Sequence, residues 1–161
     1  VRLLLDDTEK TMLAKTQWKE NGFRWELPQE VDYKHLVAVK EHPYFGSMSI
    51  NDTHARILYQ PIMLYGFLSD QQRGYFQLLK TSHDYSSTDS GSYMYVDRNI
   101  YIKGEKELSQ NNTKVIHAVN LNLQKGWNTV NNNTTITESG MKISITTEVS
   151  PPSEWAFLTS N

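Results

Sequence analysis

An alternating run near the C-terminus restricts the fold of this chain more than any other feature of its sequence. From position 141 to 149 the residues MKISITTEV place Met, Ile, Ile, Thr and Val at the odd positions and Lys, Ser, Thr and Glu at the even positions. Successive side chains of a strand point to opposite faces of a sheet, so this period of two predicts a strand with one face on a core and the other in water. The run therefore favours an antiparallel sheet.

Turn residues divide most of the remaining chain into short segments of the same kind. These segments are rich in β-branched and aromatic residues, a composition that is typical of strands. The predicted strands are His35–Lys40, Ser47–Ile50, Arg56–Leu68, Gly74–Lys80, a tight hairpin within the stretch SYMYVDRNIYIKG, Lys114–Leu123, Trp127–Val130, Thr134–Thr137, Met141–Val149 and Glu154–Leu158. Together they predict an all-β fold, either an antiparallel β-sandwich of about eight to twelve strands or a barrel-like variant of it.

The N-terminal segment is the one place where a helix competes with this pattern. Asp7–Trp18 predicts either a single short helix or a leader to the domain over residues 1–17. The Asn21-Gly22 pair that follows lies between two Trp-bearing segments and predicts a hairpin turn, because both residue types accept a positive φ. With 161 residues and no long linker, the chain is predicted to be a single β domain, 1–161.

Composition excludes several classes of partner. The chain carries 16 Lys+Arg and 18 Asp+Glu, a net charge of -2, and neither sign is gathered into a long block. A nucleic-acid partner, which requires a clustered basic face, is therefore not expected. No apolar run approaches the roughly 18 residues of a membrane-spanning helix, so we expect no transmembrane segment in this chain. Cysteine is absent, which excludes disulfides, thiolate metal ligands and a Cys nucleophile.

Signatures of catalysis and metal binding are also missing from the sequence. The five histidines are scattered at His35, His42, His54, His83 and His117. No two of them have a spacing that would set two imidazoles around one zinc. The chain contains no G-x-S-x-G elbow, P-loop or dinucleotide fingerprint. Acidic pairs such as Glu105 and Glu107 occur in any chain with 18 acids and decide nothing about glycoside hydrolysis. We therefore expect no catalytic residue, no metal and no cofactor.

Three short motifs in the second half of the chain resemble a known kind of protein. SYMYVDRNIYIKG, LNLQKGWNTV and SPPSEWAF follow one another, mainly within residues 93–158. In this order they resemble uncharacterised exported lipoproteins and cell-surface β domains of Bacteroidetes-type bacteria. In those proteins an aromatic strand, a polar hairpin turn, a strand ending in Gly, a Lys-Gly-Trp-Asn element and a late Pro-Ser-x-x-Trp element recur. The doubled Pro151-Pro152 departs from the usual single proline.

The resemblance implies a β-sandwich-like body and a location, and it brings no catalytic residues. The chain begins with Val1 rather than Met, so we expect a mature product or a trimmed piece whose targeting segment lies upstream. The resemblance implies export to the periplasm or the cell surface, with a lipid anchor in such an upstream segment as one form of attachment.

Trp127 raises the question of whether the aromatic residues form a core or a binding site. Gly126 lets the backbone turn just before it, and Leu121 and Leu123 share one face of the preceding strand. The ring is predicted to fold back over that face as a core plug, since burying a large aromatic side chain removes about 150–250 Å² from water. The alternative is an exposed platform for a sugar ring.

Four other aromatic residues form the predicted ligand-binding set: Trp18, Trp25, Tyr93 and Tyr95. Trp18 and Trp25 flank the predicted turn, where they either pair across a hairpin or offer a flat stacking surface on a wet face. Tyr93 and Tyr95 share one face of a strand, where they either line a carbohydrate groove or are ordinary solvent-facing tyrosines.

Three functions remain open from the sequence. We predict a non-enzymatic exported domain of the cell envelope or surface with a binding or scaffolding role, whose partner is a glycan or a cell-envelope protein. The second hypothesis is a carbohydrate-binding module that uses exposed aromatic residues, and the third is a hydrolase of unrecognised type. Exposed Trp and Tyr on one concave face favour the second, a cleft with paired carboxylates favours the third, and four buried Trp residues favour the first.

Overall fold

The computed structural model describes residues 1–5, 11–20, 22–58, 62–84, 86–110, 113–138, 140–149, 151–152 and 154–159. Within these ranges the chain is built from strands and two 3-10 turns, Tyr33–His35 and Val39–Glu41, without an α-helix. The strands are β1 (Arg2–Leu5), β2 (Met12–Lys15), β3 (Leu36–Ala38), β4 (Ser49–Ile50), β5 (Arg56–Leu58), β6 (Ile62–Leu68), β7 (Gln71–Thr81), β8 (Ser87–Val96), β9 (Ile100–Gln110), β10 (Thr113–Leu123), β11 (Gly126–Thr137), β12 (Gly140–Thr146) and β13 (Trp155–Thr159). The prediction of an all-β fold is confirmed.

The strands of the described residues form one mixed sheet that does not close into a barrel. Its order is β2-β1-β6-β7-β8-β11-β12-β10-β9-β4, while β13 joins β7, β5 joins β8, and β3 joins β5. The pairing between β10 and β12 is parallel, with Val115 opposite Met141, and every other pairing in this part of the chain is antiparallel. The prediction of purely antiparallel pairing is therefore wrong at this one place.

The larger core lies on one face of the second half of the sheet. Its fully buried side chains include Val96, Ile102, Leu121 and Val130, which come from β8, β9, β10 and β11 in turn. Phe45, from the segment between β3 and β4, packs into the same cluster. Each such aliphatic side chain contributes about 1.5–3 kcal/mol when it is removed from water, so this cluster holds the four strands together.

A smaller core lies on the opposite face of the same strands. Tyr95 belongs to it, whereas Val96, the next residue in β8, belongs to the larger core, because neighbouring side chains of a strand point to opposite faces. The other members of the smaller core are Val31 and Leu36, which precede β5, and Leu58, which lies in β5. The smaller core therefore fixes residues 31–36 against the outer side of β8.

The hairpin predicted in SYMYVDRNIYIKG is wrong, although both of its strands are present as β8 and β9. β8 pairs with β11, and β9 pairs with β10. The reason is Asp97, in the short connection between them. Its Oδ1 accepts a hydrogen bond from the Arg56 N–H at 2.8 Å, and its own N–H donates to the Arg56 carbonyl at 3.0 Å. These bonds tie the connection to β5, and β9 pairs with β10 instead of turning back on β8.

The N-terminal segment joins the sheet. Met12–Lys15 is a strand, so the helix predicted over Asp7–Trp18 is wrong for the described part of that segment. β1 pairs with β2 on one side and with β6 on the other, and Leu3 is 1% exposed in this position. Burial of β1 between two strands outweighs the weak helix propensity of so short a segment. Asp7 itself lies outside the described residues.

A tight turn follows β2. Lys19 and Gly22 exchange two backbone hydrogen bonds of 2.8 and 2.9 Å, and Gly22 has a φ of +104° that only glycine adopts without strain. The predicted reversal of the chain is therefore present, while Asn21, on which the turn type depended, lies outside the described residues. No helix in the described part of the chain is long and apolar enough to cross a membrane.

Candidate functional site

An open groove lies where β2, β6, β7 and β13 come together. Its volume is about 960 Å³, and its aromatic lining consists of Trp18, Phe67, Phe76 and Phe157. We call it the aromatic groove. The strand register assembles it, because Phe76 of β7 lies opposite Leu64 of β6 and opposite Phe157 of β13. Paired residues share a face of a sheet, so three strands present apolar side chains to the same place.

Trp18 forms one wall of the aromatic groove, and two phenylalanines hold it in position. Its ring stacks on Phe76 at a centroid distance of 5.9 Å and an interplanar angle of 14°, and it is tilted against Phe23 at 5.6 Å. Phe23 in turn contacts Phe76 at 4.9 Å. The turn at Lys19 and Gly22 brings Trp18 and Phe23 opposite each other. Trp18 is therefore fixed on one side.

The other side of Trp18 faces solvent. The residue is 61% exposed, Leu68 is 63% exposed and Phe157 is 43% exposed, all in the lining of the same groove. Scattered single apolar residues are normal on a protein surface, but a contiguous exposed patch marks an interaction site. The aromatic groove is such a patch. Trp155, which shares a face of β13 with Phe157, is 40% exposed.

The charged side chains that line the aromatic groove, as far as the structure describes the chain, are all cations: Arg2, Lys15 and Arg73. Arg2 lies 4.1 Å above the centroid of Phe67 and forms a 2.7 Å ion pair with Asp70. The guanidinium of Arg73 donates to the neutral amide oxygen of Gln71 at 2.9 Å and forms no ion pair with a described side chain. The groove thus combines apolar rings with positive charge.

Trp25 and Tyr93, two of the predicted ligand residues, meet at a different place. Their rings are edge to face, with centroids 5.3 Å apart and an interplanar angle of 89°. Both residues are half-buried, and burial raises the pKa of the Tyr93 phenol. The structure therefore does not bring Trp25 against Trp18 in a cross-strand pair; the partners of Trp18 are Phe23 and Phe76.

Tyr95 and Trp127 belong to the smaller core. Tyr95 is 6% exposed, and its ring meets that of Trp127 edge to face at 5.3 Å. The indole N–H of Trp127 donates a 2.7 Å hydrogen bond to the carbonyl of Pro28. Trp127 is half-buried and packs against the smaller core. It therefore lies on the face opposite the one that carries Leu121 and Leu123. Trp127 was predicted to cover the face that carries Leu121 and Leu123, and this prediction is wrong because the ring lies on the opposite face.

The acidic pairs singled out by the sequence are engaged in ion pairs on the surface. Glu107 lies 2.7 Å from the ammonium of Lys114, and Glu105 lies 3.8 Å from that of Lys142. In the loop before β8, Asp84 accepts hydrogen bonds from Ser82 and Ser86, which lower the pKa of its carboxyl to about 2. Among the described residues no group of three or more His, Asp and Glu side chains is placed to hold a metal ion.

Three aromatic residues that line the groove were not singled out by the sequence: Phe67, Phe76 and Phe157. Each of them lies in a segment that the sequence predicts to be a strand. The alternation along one strand, however, shows only which residues of that strand lie on the same face. Phe76 and Phe157 come together because β13 pairs with β7 across about eighty residues of chain, and no local pattern predicts that pairing. Trp18 is the one predicted ligand residue that lines this groove.

The chain matches none of the protein-family models, curated proteins or solved structures with which it was compared. Its function therefore has to be argued from the geometry of its own residues.

Proposed function

We propose that this chain is a non-enzymatic binding domain and that the aromatic groove is its binding site, with a glycan as the ligand. One observation carries the proposal. Trp18 is 61% exposed, yet its ring is held by Phe76 at 5.9 Å and by Phe23 at 5.6 Å. A sugar ring stacks on a flat aromatic surface, and binding costs less when that surface is already in place.

The lining of the aromatic groove favours binding over hydrolysis. A glycosidase of the common kinds requires two carboxyl groups about 5–10 Å apart on either side of the bond that it cleaves. The described residues that line the groove include no carboxylate, and the nearby Asp70 is paired with Arg2. Within the described part of the chain, the groove therefore offers stacking surfaces and hydrogen-bond donors and no pair of carboxylates for that reaction.

Export to the periplasm or cell surface is part of the same proposal, and it rests on the resemblance of the second half of the chain to exported envelope proteins. The exposed patch is consistent with such a role, because a domain that displays its ligand site at an envelope needs no enclosed cavity. A cell-envelope protein is the alternative partner for the same surface.

The proposal is tested by screening the purified domain against immobilised polysaccharides and repeating each hit with Trp18→Ala. The matched control is Tyr33→Ala, because Tyr33 is 63% exposed and lies outside the groove. We expect Trp18→Ala to weaken binding at least about fivefold, the loss of roughly 1 kcal/mol of stacking, while Tyr33→Ala has no effect. Trp25→Ala and Tyr93→Ala in the same screen test the second aromatic pair. Equal binding by wild type and Trp18→Ala, or release of sugar from any polymer, contradicts the proposal.

A further inference from the structure

We infer that the ligand of the aromatic groove is an acidic glycan, one whose pyranose rings carry carboxylates as uronic acids do. This inference rests on the proposed function and narrows the class of its ligand. The observation that supports it most directly is the sign of the charges that line the groove. Among the described residues its charged lining side chains are those of Arg2, Lys15 and Arg73, all positive, in a chain whose total charge is -2.

Two of these three charges have no acidic partner within the described residues. Arg2 is balanced by Asp70 at 2.7 Å. Arg73 donates a hydrogen bond to the neutral amide of Gln71, and Lys15 forms no ion pair among the described side chains. An uncompensated Lys and Arg beside an apolar floor form an attractive site for a carboxylate, since hydrogen bonds to an ionised group are stronger than neutral ones.

The register of β1 and β2 adds an independent reason. Arg2 lies directly opposite Lys15 across the antiparallel pair. Like charges in directly opposite positions destabilise a sheet, and the carboxylate of Asp70 offsets the charge of Arg2 alone among the described residues. A carboxylate bound at the groove would lie near both cations and relieve their repulsion. Binding of an anion and stability of this edge of the sheet are then coupled.

A uronic acid matches the groove better than an isolated anion does. Each uronate unit has an apolar ring face and a carboxylate on the same ring, and the lining of the groove combines the rings of Trp18 and Phe157 with the cations of Lys15 and Arg73. Inorganic phosphate would use the cations and leave the aromatic surface exposed to water. A neutral sugar would use the aromatic surface and leave the cations unpaired.

The test compares two forms of one polymer. Binding of the purified domain to polygalacturonate and to its fully methyl-esterified form is measured by isothermal titration calorimetry in 50 and 500 mM salt. We expect the acidic form to bind at least about tenfold more tightly at low salt, with the difference shrinking at high salt because screening weakens exposed charge pairs. Alginate, neutral dextran and vesicles of anionic phospholipid complete the panel.

The double variant Lys15→Gln/Arg73→Gln is expected to remove the preference for the acidic form. Lys80→Gln/Lys103→Gln, which removes two exposed lysines outside the groove, is the control and is expected to retain it. Equal binding of both polymer forms, or binding of dextran alone, overturns the acidic ligand and leaves the proposed function standing. Binding of no glycan, with or without binding of the vesicles, overturns both.

Discussion

The ring of Phe157 lies against Gly66, at the place where any larger residue would carry its side chain. A Cβ atom on Gly66 would be 2.8 Å from Cε2 of Phe157, closer than carbon atoms approach without one of them moving. Gly74, which pairs with Gly66 across β6 and β7, borders the same ring. The floor of the aromatic groove therefore depends on two glycines that leave room for the Phe157 ring.

Gly66→Ala is expected to displace the Phe157 ring and weaken ligand binding at little cost in stability. The atom that a new Cβ would meet belongs to a side chain that is 43% exposed and able to move. At Gly74 the new Cβ would instead meet the backbone carbonyl oxygen of Leu158, so β13 itself must shift. We expect Gly74→Ala to lower the free energy of unfolding by about 1–3 kcal/mol, the range for overpacking. Urea denaturation of both variants measures the difference, and equal stabilities would contradict this account.

Trp127→Phe is expected to lower the free energy of unfolding by about 1–2 kcal/mol, because it removes the hydrogen bond to the Pro28 carbonyl while keeping a ring against Tyr95. Trp127→Ala removes that ring contact as well, and its cost is about 3 kcal/mol. The control is Trp155→Phe, at a 40% exposed position, which is expected to change stability by no more than about 0.5 kcal/mol. A melting temperature unchanged in Trp127→Ala would show that the indole is not part of the core.

Stability is expected to fall as the pH drops from about 6.5 towards 4, because of His42. Its ring is buried and stacks on Phe45 at 4.3 Å, and burial lowers its pKa from 6.5 to about 4. Between these values the unfolded chain takes up a proton that the folded chain does not, so acid favours unfolding by up to about 3 kcal/mol. Burial and the ammonium of Lys106 also lower the pKa of His117, which acts in the same direction.

The pH dependence is measured by urea denaturation at pH 7.5 and pH 4.5. His42→Asn retains an oxygen that can accept the Tyr44 N–H and removes the titrating group, so the loss of stability between these two pH values should be smaller in this variant. His83→Gln, at an exposed position, is the control and should behave as wild type. An unchanged pH slope in His42→Asn would show that another group controls the acid sensitivity.

The local patterns predicted the position of many of the strands, because a period of two is set by each strand alone. Of the predicted strand Met141–Val149, residues 141–146 lie in β12, which ends at Thr146, and the positions of Met94 and Val96 on one core and of Tyr95 on the other follow the predicted parity. Pairing was not predictable in this way. The side chain of Asp97 redirects the chain between β8 and β9, and the parallel contact of β10 with β12 joins strands that are not neighbours in sequence.

The candidate site was only partly predictable for the same reason. Trp18 was singled out as an aromatic residue beside a turn, either paired with Trp25 or on a wet face, and it is exposed. Tyr95 has the same sequence signature as Tyr93 but lies beneath Trp127, since the segment around Pro28 covers that part of β8. Burial of a strand face depends on which distant segment crosses it, and this is a property of the tertiary structure.

The central claim, that ligand binds at Trp18, is tested most directly by the four indole N–H resonances in a ¹⁵N-labelled sample titrated with a polygalacturonate oligosaccharide. The exposed Trp18 indole is expected to shift progressively with ligand. The indole N–H of Trp127 donates to the Pro28 carbonyl at 2.7 Å, and its resonance is expected not to shift. The opposite result would contradict the assignment of the aromatic groove as the binding site. In that result the titration saturates, the indole resonance of Trp18 does not shift, and the resonance of Trp25 or Trp127 shifts instead.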